Sequence, residues 1–124
     1  MANTVLLCLG SFLVLFWGIA HLFPTRAVVR RFGDISADNR RIITMEWIVE
    51  GISLIFIAVV VLLATAVDRT SAVSKAIVWA SFAMLNTLSA VSLATGFKVR
   101  FLPFKLCPMV FTVSAILILL GVLV

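Results

Sequence analysis

Charge is scarce in this sequence. Of 124 residues only fifteen are charged, ten basic and five acidic, where an ordinary soluble domain carries about a quarter. Tyrosine is absent although there are ten phenylalanines, histidine occurs once, and cysteine occurs twice. Each shortage excludes something. So little charge beside a 64% hydrophobic composition rules out a soluble domain, whose surface at this size could not hide the apolar side chains. It also rules out a disordered chain, which would be polar and charged. Without tyrosine there is no phenol acid and no tyrosyl radical. A single histidine, His21, cannot supply both axial ligands of a haem or a histidine-rich metal site. A Glu/Glu/His metal set is conceivable but has no motif behind it, so no metal site is expected. Cys8 and Cys107 form no CxxC and are expected at opposite membrane faces, which argues against a disulfide and against thiol-redox quinone chemistry. There is no glycine-rich phosphate loop and no G-x-S-x-G elbow. The net charge of +5 is divided between short loops, so no nucleic-acid partner is expected.

What is present is apolar length. A helix needs ~20 residues to cross the hydrocarbon layer, and four stretches qualify: residues 5–23, 42–67, 76–97 and 106–124. The runs are continuous, too long and too few for a strand barrel of alternating polarity. The expected fold is all-α, a single four-span transmembrane bundle covering residues 1–124, with inner loops at 24–41 and 98–105. The first span reads as a membrane helix and not as a cleavable signal peptide, because it lacks a basic start. Position 2 is alanine, so the glycine needed for myristoylation is missing.

Orientation follows from the basic residues. Arg26, Arg30, Arg31, Arg40 and Arg41 lie in the first loop, and Lys98, Arg100 and Lys105 in the third; only Arg69 and Lys75 lie in the second. The positive-inside rule places the first and third loops in the cytoplasm and both termini outside. The expected location is the cell's inner (cytoplasmic) membrane. Residues 25–32 read as a short amphipathic piece lying on anionic lipid headgroups. Ser36 or Asp38 can cap the second span, and Ser71 or Ser74 the third. Pro103 and Pro108 fit the first turns of the fourth. Trp79 suits an interfacial anchor at the outer end of the third.

An ionisable residue at membrane depth is costly and marks a candidate site. Glu46 and Glu50 are four apart, on one helix face with Asn39, Ile43 and Ser53. Two carboxylates so close in low dielectric do not readily both ionise; one holds a proton or a cation compensates them. His21 lies at similar depth, with Trp17 one turn away on its own helix and Trp47 beside Glu46. Asn86, Ser89, Ser92 and Thr95 on the third span, and Lys105 and Cys107 on the fourth, fall in the same half of the bilayer. The outer half is almost wholly apolar. This asymmetry predicts a polar pocket open to the cytoplasm or inner leaflet and no continuous channel. Its candidate acid/base or proton-relay residues are Glu50, Glu46 and His21, and its candidate ligand contacts are Asn86, Ser89, Trp17 and Trp47. Plainer roles exist for each: Glu46 pairing with a loop arginine, Glu50 hydrogen-bonded to Asn86 or a serine, tryptophans as packing. Ala90/Ala94 and Ser92/Gly96 are small-xxx-small pairs suited to close packing of the third span.

The segment Gly18-Ile19-Ala20-His21-Leu22-Phe23-Pro24, the basic loop with Phe32-Gly33, and Met45-Glu46-Trp47-Ile48-Val49-Glu50-Gly51 ahead of an apolar run resemble small four-helix bacterial membrane proteins of the DoxX-like kind. The likeness covers about one third of the chain. It implies a four-helix fold and an association with quinone or sulfur redox complexes, and it transfers no catalytic residue. In size and span number the chain is also similar to small multidrug-resistance transporters, which dimerise around a glutamate in their first helix; here the carboxylates lie in the second span.

Three functions stay open. One is a cytoplasm-side pocket that binds, or binds and chemically transforms, a lipophilic molecule of the quinone or isoprenoid class. Another is a non-catalytic membrane subunit of a larger complex. The third is a dimeric proton-coupled exporter of lipophilic cations, against which the apolar outer half counts. The expected partners are membrane lipids, with anionic headgroups at the basic loops, and a second copy or a larger membrane complex. No cofactor is implied.

Overall fold

The structure is a computed structural model, and it describes residues 3–124; position 2 lies outside them. It is all-α. Four long helices, α1 (Thr4–Leu22), α3 (Ala37–Asp68), α4 (Ala72–Val91) and α5 (Leu102–Leu123), are joined by a short α2 (Thr25–Arg30) and a π-helical turn (Ser92–Gly96) that continues α4. All four are long and apolar enough to cross a membrane. They stand as a square: α1 packs on α3 and α5, α4 packs on α5 and more thinly on α3, and α1 and α4 take opposite corners. The core between them contains Leu7, Val14, Leu54, Val61, Leu85, Phe111 and Ile118, each almost fully buried. Outside, Phe16, Phe56, Leu63, Val73 and Met109 are exposed, the surface that lipid covers and water does not.

Each helix start has its reason. The Asn3 side chain accepts from the Val5 and Leu6 N–H groups. The Ser36 hydroxyl accepts from the Asn39 N–H at 3.2 Å, and that of Ser71 from the Ser74 N–H at 3.1 Å. Ser74 in turn donates to the Ala64 carbonyl at 3.1 Å, tying the start of α4 to the end of α3. At this end of the bundle the Arg69 guanidinium meets the Thr4 hydroxyl, and the Asn3 N–H donates to the Gly121 carbonyl at 2.7 Å. The start of α1, the α3–α4 turn and the end of α5 therefore share one end. The two basic loops share the other.

The helix bounds differ from the apolar runs in two instructive places. The second span was expected from residue 42, yet α3 begins at Ala37. Ser36 caps it there, and the polar turn from Asp38 to Arg41 extends the helix below the apolar run. Likewise α5 begins at Leu102 instead of residue 106. Pro103 sits in its first turn as expected, but Pro108 falls inside the helix, where it has no N–H to offer the Phe104 carbonyl.

The crossing of α1 on α3 is made by Gly18 and Gly51. A methyl group on Gly18 would lie 3.0 Å from the Gly51 oxygen and 3.1 Å from the Ile55 nitrogen, so the two backbones touch where no side chain intervenes. At the basic end, α2 lays Val28 and Val29 against the bundle and leaves Arg26 and Arg30 exposed, the expected amphipathic piece. Gly33, in the left-handed region at φ 71°, turns the chain back toward α3.

Candidate functional site

The Gly18–Gly51 contact fixes two nearby side chains. His21 is one turn further along α1, and Glu50 directly precedes Gly51 on α3. Their Nε2 and Oε2 atoms lie 3.3 Å apart. His21 is buried, at 4% exposure, whereas the Glu50 side chain is about one third exposed. A single proton between them gives either an imidazolium–carboxylate pair or an imidazole beside a carboxylic acid. The Trp47 indole stacks on the imidazole, with ring centroids 3.8 Å apart and planes 13° from parallel. Its N–H donates to the His21 carbonyl at 2.5 Å. Trp47 thus holds both the backbone and the ring plane of His21, and Phe104 meets the edge of Trp47 at 5.6 Å.

These groups form one wall of a cavity of about 490 Å³ between α3, α4, the π-turn and the start of α5. Its lining is mostly apolar, with Ile43, Val49, Met84, Leu88, Val91 and Phe104 among the contributors. The polar contributors are His21, Glu46, Glu50, Ser53, Ser92, Thr95 and Cys107. Ser53 and Thr95 donate to the carbonyls one turn back, Val49 at 2.8 Å and Val91 at 2.7 Å, so their hydroxyl protons are already used. The His21 Nε2 is different: it is buried and makes no hydrogen bond of acceptable geometry. A smaller recess of about 360 Å³ adjoins at the basic end and shares Phe32 and Phe104 with the cavity. It contains Arg31 and Arg100, and the Arg31 guanidinium lies 4.3 Å above the Phe101 ring.

The residues singled out from sequence divide into two groups. His21, Glu46, Glu50 and Trp47 meet at the cavity, with Glu46 exposed one turn from Glu50 toward the basic end. Among the described residues neither glutamate forms an ion pair with an arginine; the Asp38–Arg41 pair at 3.2 Å is a local one. The other three proposed ligand contacts do not line the cavity. Asn86 is exposed on α4 and donates to its own helix at the Phe82 carbonyl, 2.8 Å away, so it does not reach Glu50. Ser89 is buried against α5, donating to the Pro108 carbonyl at 3.1 Å and lying 2.8 Å from the Thr112 hydroxyl. Trp17 packs on the core, and its indole N–H is buried beside the Cys107 thiol without hydrogen-bond geometry. Of the small pairs, Ala90 and Ala94 are exposed, while Gly96 faces Phe104.

Sequence reasoning missed two contributors. Cys107 was placed in the same half of the bilayer as His21 and Glu50 but given no role, and the structure brings it to both. The π-turn, closed by the Phe97 N–H donating to the Ser92 carbonyl at 2.9 Å, carries Ser92, Thr95 and Gly96 into the cavity wall. Such turns recur at functional sites; the shared depth of Cys107 and His21 was a hint of the first contributor, and nothing in the sequence pointed to the turn.

Fold and surface together define a multi-pass helical membrane protein, by length and composition of its helices. Comparison with known protein families, curated proteins and solved structures finds no match.

Proposed function

We propose that the protein binds a lipophilic small molecule of the quinone or isoprenoid class in this cavity, with the His21–Glu50 pair as the polar anchor that meets its oxygen. The observation that carries the reading is the cavity itself. It has the volume of a small-molecule site, an apolar lining, and a convergent pair of ionisable groups at one wall. An apolar tail would lie along Phe104, Leu88 and Met84. A carbonyl or hydroxyl at its head would accept from or donate to His21 and Glu50, which can exchange a proton with it. Glu46, exposed at the mouth, would relay that proton to the aqueous side. By the basic-loop rule that side is the cytoplasm, and Arg31 and Arg100 in the adjoining recess would face anionic headgroups.

The test is retention. Protein extracted in native lipid patches should carry a quinone or isoprenoid identifiable by mass spectrometry, and Glu50→Gln should lose it while still folding. Unchanged retention in that variant would place the ligand elsewhere.

A second reading, a subunit held in a larger assembly, is favoured by one observation. Asn86 and Ala90 on α4 and Ala94 on the π-turn are all exposed, a polar and two small side chains of the kind that helix partners cover. Crosslinking from a residue on this face should capture a second helix, and Asn86→Leu should weaken it. A monomer in native lipid would remove this reading.

A further inference from the structure

Cys107 is the member of the cavity wall that the ligand reading leaves unused. Its sulfur, a His21 ring nitrogen and a Glu50 carboxylate oxygen all lie within 4.8 Å of one another. We propose that these three residues bind a borderline-soft divalent cation of the zinc class, with a fourth position open to the cavity.

Four observations carry the assignment. The first is the donor set: one thiolate sulfur, one imidazole nitrogen and one carboxylate oxygen are the ligand types of zinc sites, and three protein ligands plus an open position is the catalytic arrangement. The second is spacing. Bonds of ~2.0–2.3 Å at tetrahedral angles put donor atoms roughly 3.3–3.6 Å apart. His21 and Glu50 are already at 3.3 Å, and the sulfur, within 4.8 Å of both, needs a shift of up to about 1.2 Å to reach that spacing. The third is the buried His21 Nε2, which stands 3.3 Å from the Glu50 carboxylate oxygen without making a hydrogen bond of acceptable geometry, where buried polar atoms are normally bonded. A cation between the two would bind both atoms. The fourth is charge. A divalent ion with one thiolate and one carboxylate is a neutral unit, the condition for placing charge in an apolar layer.

The surroundings suit the role. Trp47 fixes the imidazole plane by stacking, a supporting contact of the kind that orients a ligand. Glu46 at the exposed mouth attracts the incoming cation. Binding displaces the Cys107 thiol proton, and any proton shared by His21 and Glu50, to water through that mouth. The site stands whether or not the cavity takes a lipophilic molecule.

The experiment uses chelator-treated full-length protein in detergent micelles, titrated with cobalt(II) and then with zinc. Wild-type protein should take up one cobalt per chain, develop a thiolate-to-cobalt charge-transfer band, and lose it when zinc displaces cobalt. Cys107→Ser should lose the band and bind zinc more than ~100-fold more weakly, beyond the usual effect of supporting contacts. Glu50→Gln should keep a thiolate band yet bind more than tenfold more weakly, whereas Cys8→Ser should behave as wild type. A wild-type protein without the band overturns the proposal, and so does undiminished zinc affinity in Cys107→Ser. If Cys107→Ser does not fold, undiminished affinity in Glu50→Gln overturns it alone. Lipid retention is measured separately, so failure here leaves the ligand reading standing, and loss of retained lipid with intact metal binding does the reverse.

Discussion

Enlarging Gly18 should separate α1 from α3 and dismantle the site together. A methyl there would stand 3.0 Å from the Gly51 oxygen, 3.0 Å from Ile55 Cγ1 and 3.1 Å from the Ile55 nitrogen. Comfortable carbon contacts begin at about 3.5 Å, so Gly18→Ala forces the helices apart by roughly half an ångström. Two of the three obstacles are backbone atoms, which cannot rotate away. Overpacking of this kind costs about 1–3 kcal/mol, and alanine recovers up to ~1 kcal/mol through helix propensity. The net loss for Gly18→Ala is therefore about 0–2 kcal/mol, and Gly18→Leu should reach ~3 kcal/mol, roughly a hundredfold in the unfolding equilibrium. Titration with sodium dodecyl sulfate in mixed micelles, followed by tryptophan fluorescence, measures this directly. Because His21 follows Gly18 by one turn and Glu50 adjoins Gly51, the 3.3 Å separation widens with the crossing. Gly18→Leu should thus lose bound lipid and cobalt even under conditions where it stays folded. A Gly18→Leu protein as stable as wild type, with its ligands intact, would refute the close crossing and its hold on the site.

Three further outcomes are expected. Trp47→Leu removes the stack on His21 and the bond to its carbonyl, and should destabilise by about 3 kcal/mol while weakening cobalt binding more than Trp79→Leu does, as read by the same two titrations. Ser89→Ala removes bonds between α4 and α5 and should cost about 0.6–1 kcal/mol, with lipid retention unchanged because Ser89 does not line the cavity. With Cys8 and Cys107 replaced by serine, a cysteine at Arg30 should react with a membrane-impermeant maleimide only from the cytoplasm, and one at Thr70 only from outside; the opposite pattern would reverse the orientation.

The spans were legible because crossing a bilayer demands long apolar runs, and nothing else in this composition produces them. That His21, Glu50 and Cys107 stand at one level of the bundle was legible for the same reason, since position along a helix converts to height. Rotation about the helix was not. In a soluble bundle a polar stripe shows which face is outward, but α5 is apolar all round, buried at Phe111 and exposed at Met109 alike. Asn86 illustrates the consequence. It shares a membrane half with Glu50, yet α4 turns Ser81, Leu85 and Ser89 inward and leaves Asn86 outside. The polar groups chosen for the pocket were thus partly helix-to-helix bonds. Helix starts were misjudged at Ala37, where a polar turn extends an apolar helix, and at Leu102, where the first turn carries Pro103 and Lys105. The π-turn left no trace in composition, because residues 92–96 read as part of the third apolar run and Gly96 meets Phe104 only in the fold.

Trp47 gives the most direct test of a ligand beside His21, since it lines the cavity and stacks on that ring. In a protein retaining Trp47 alone, with Trp17 and Trp79 replaced by phenylalanine, fluorescence should be quenched saturably by a short-chain benzoquinone or a brominated isoprenoid alcohol, and Glu50→Gln should abolish the saturable part. Purely linear quenching by both probes, identical in wild-type and Glu50→Gln backgrounds, would contradict a lipophilic-ligand site at the His21–Glu50 pair.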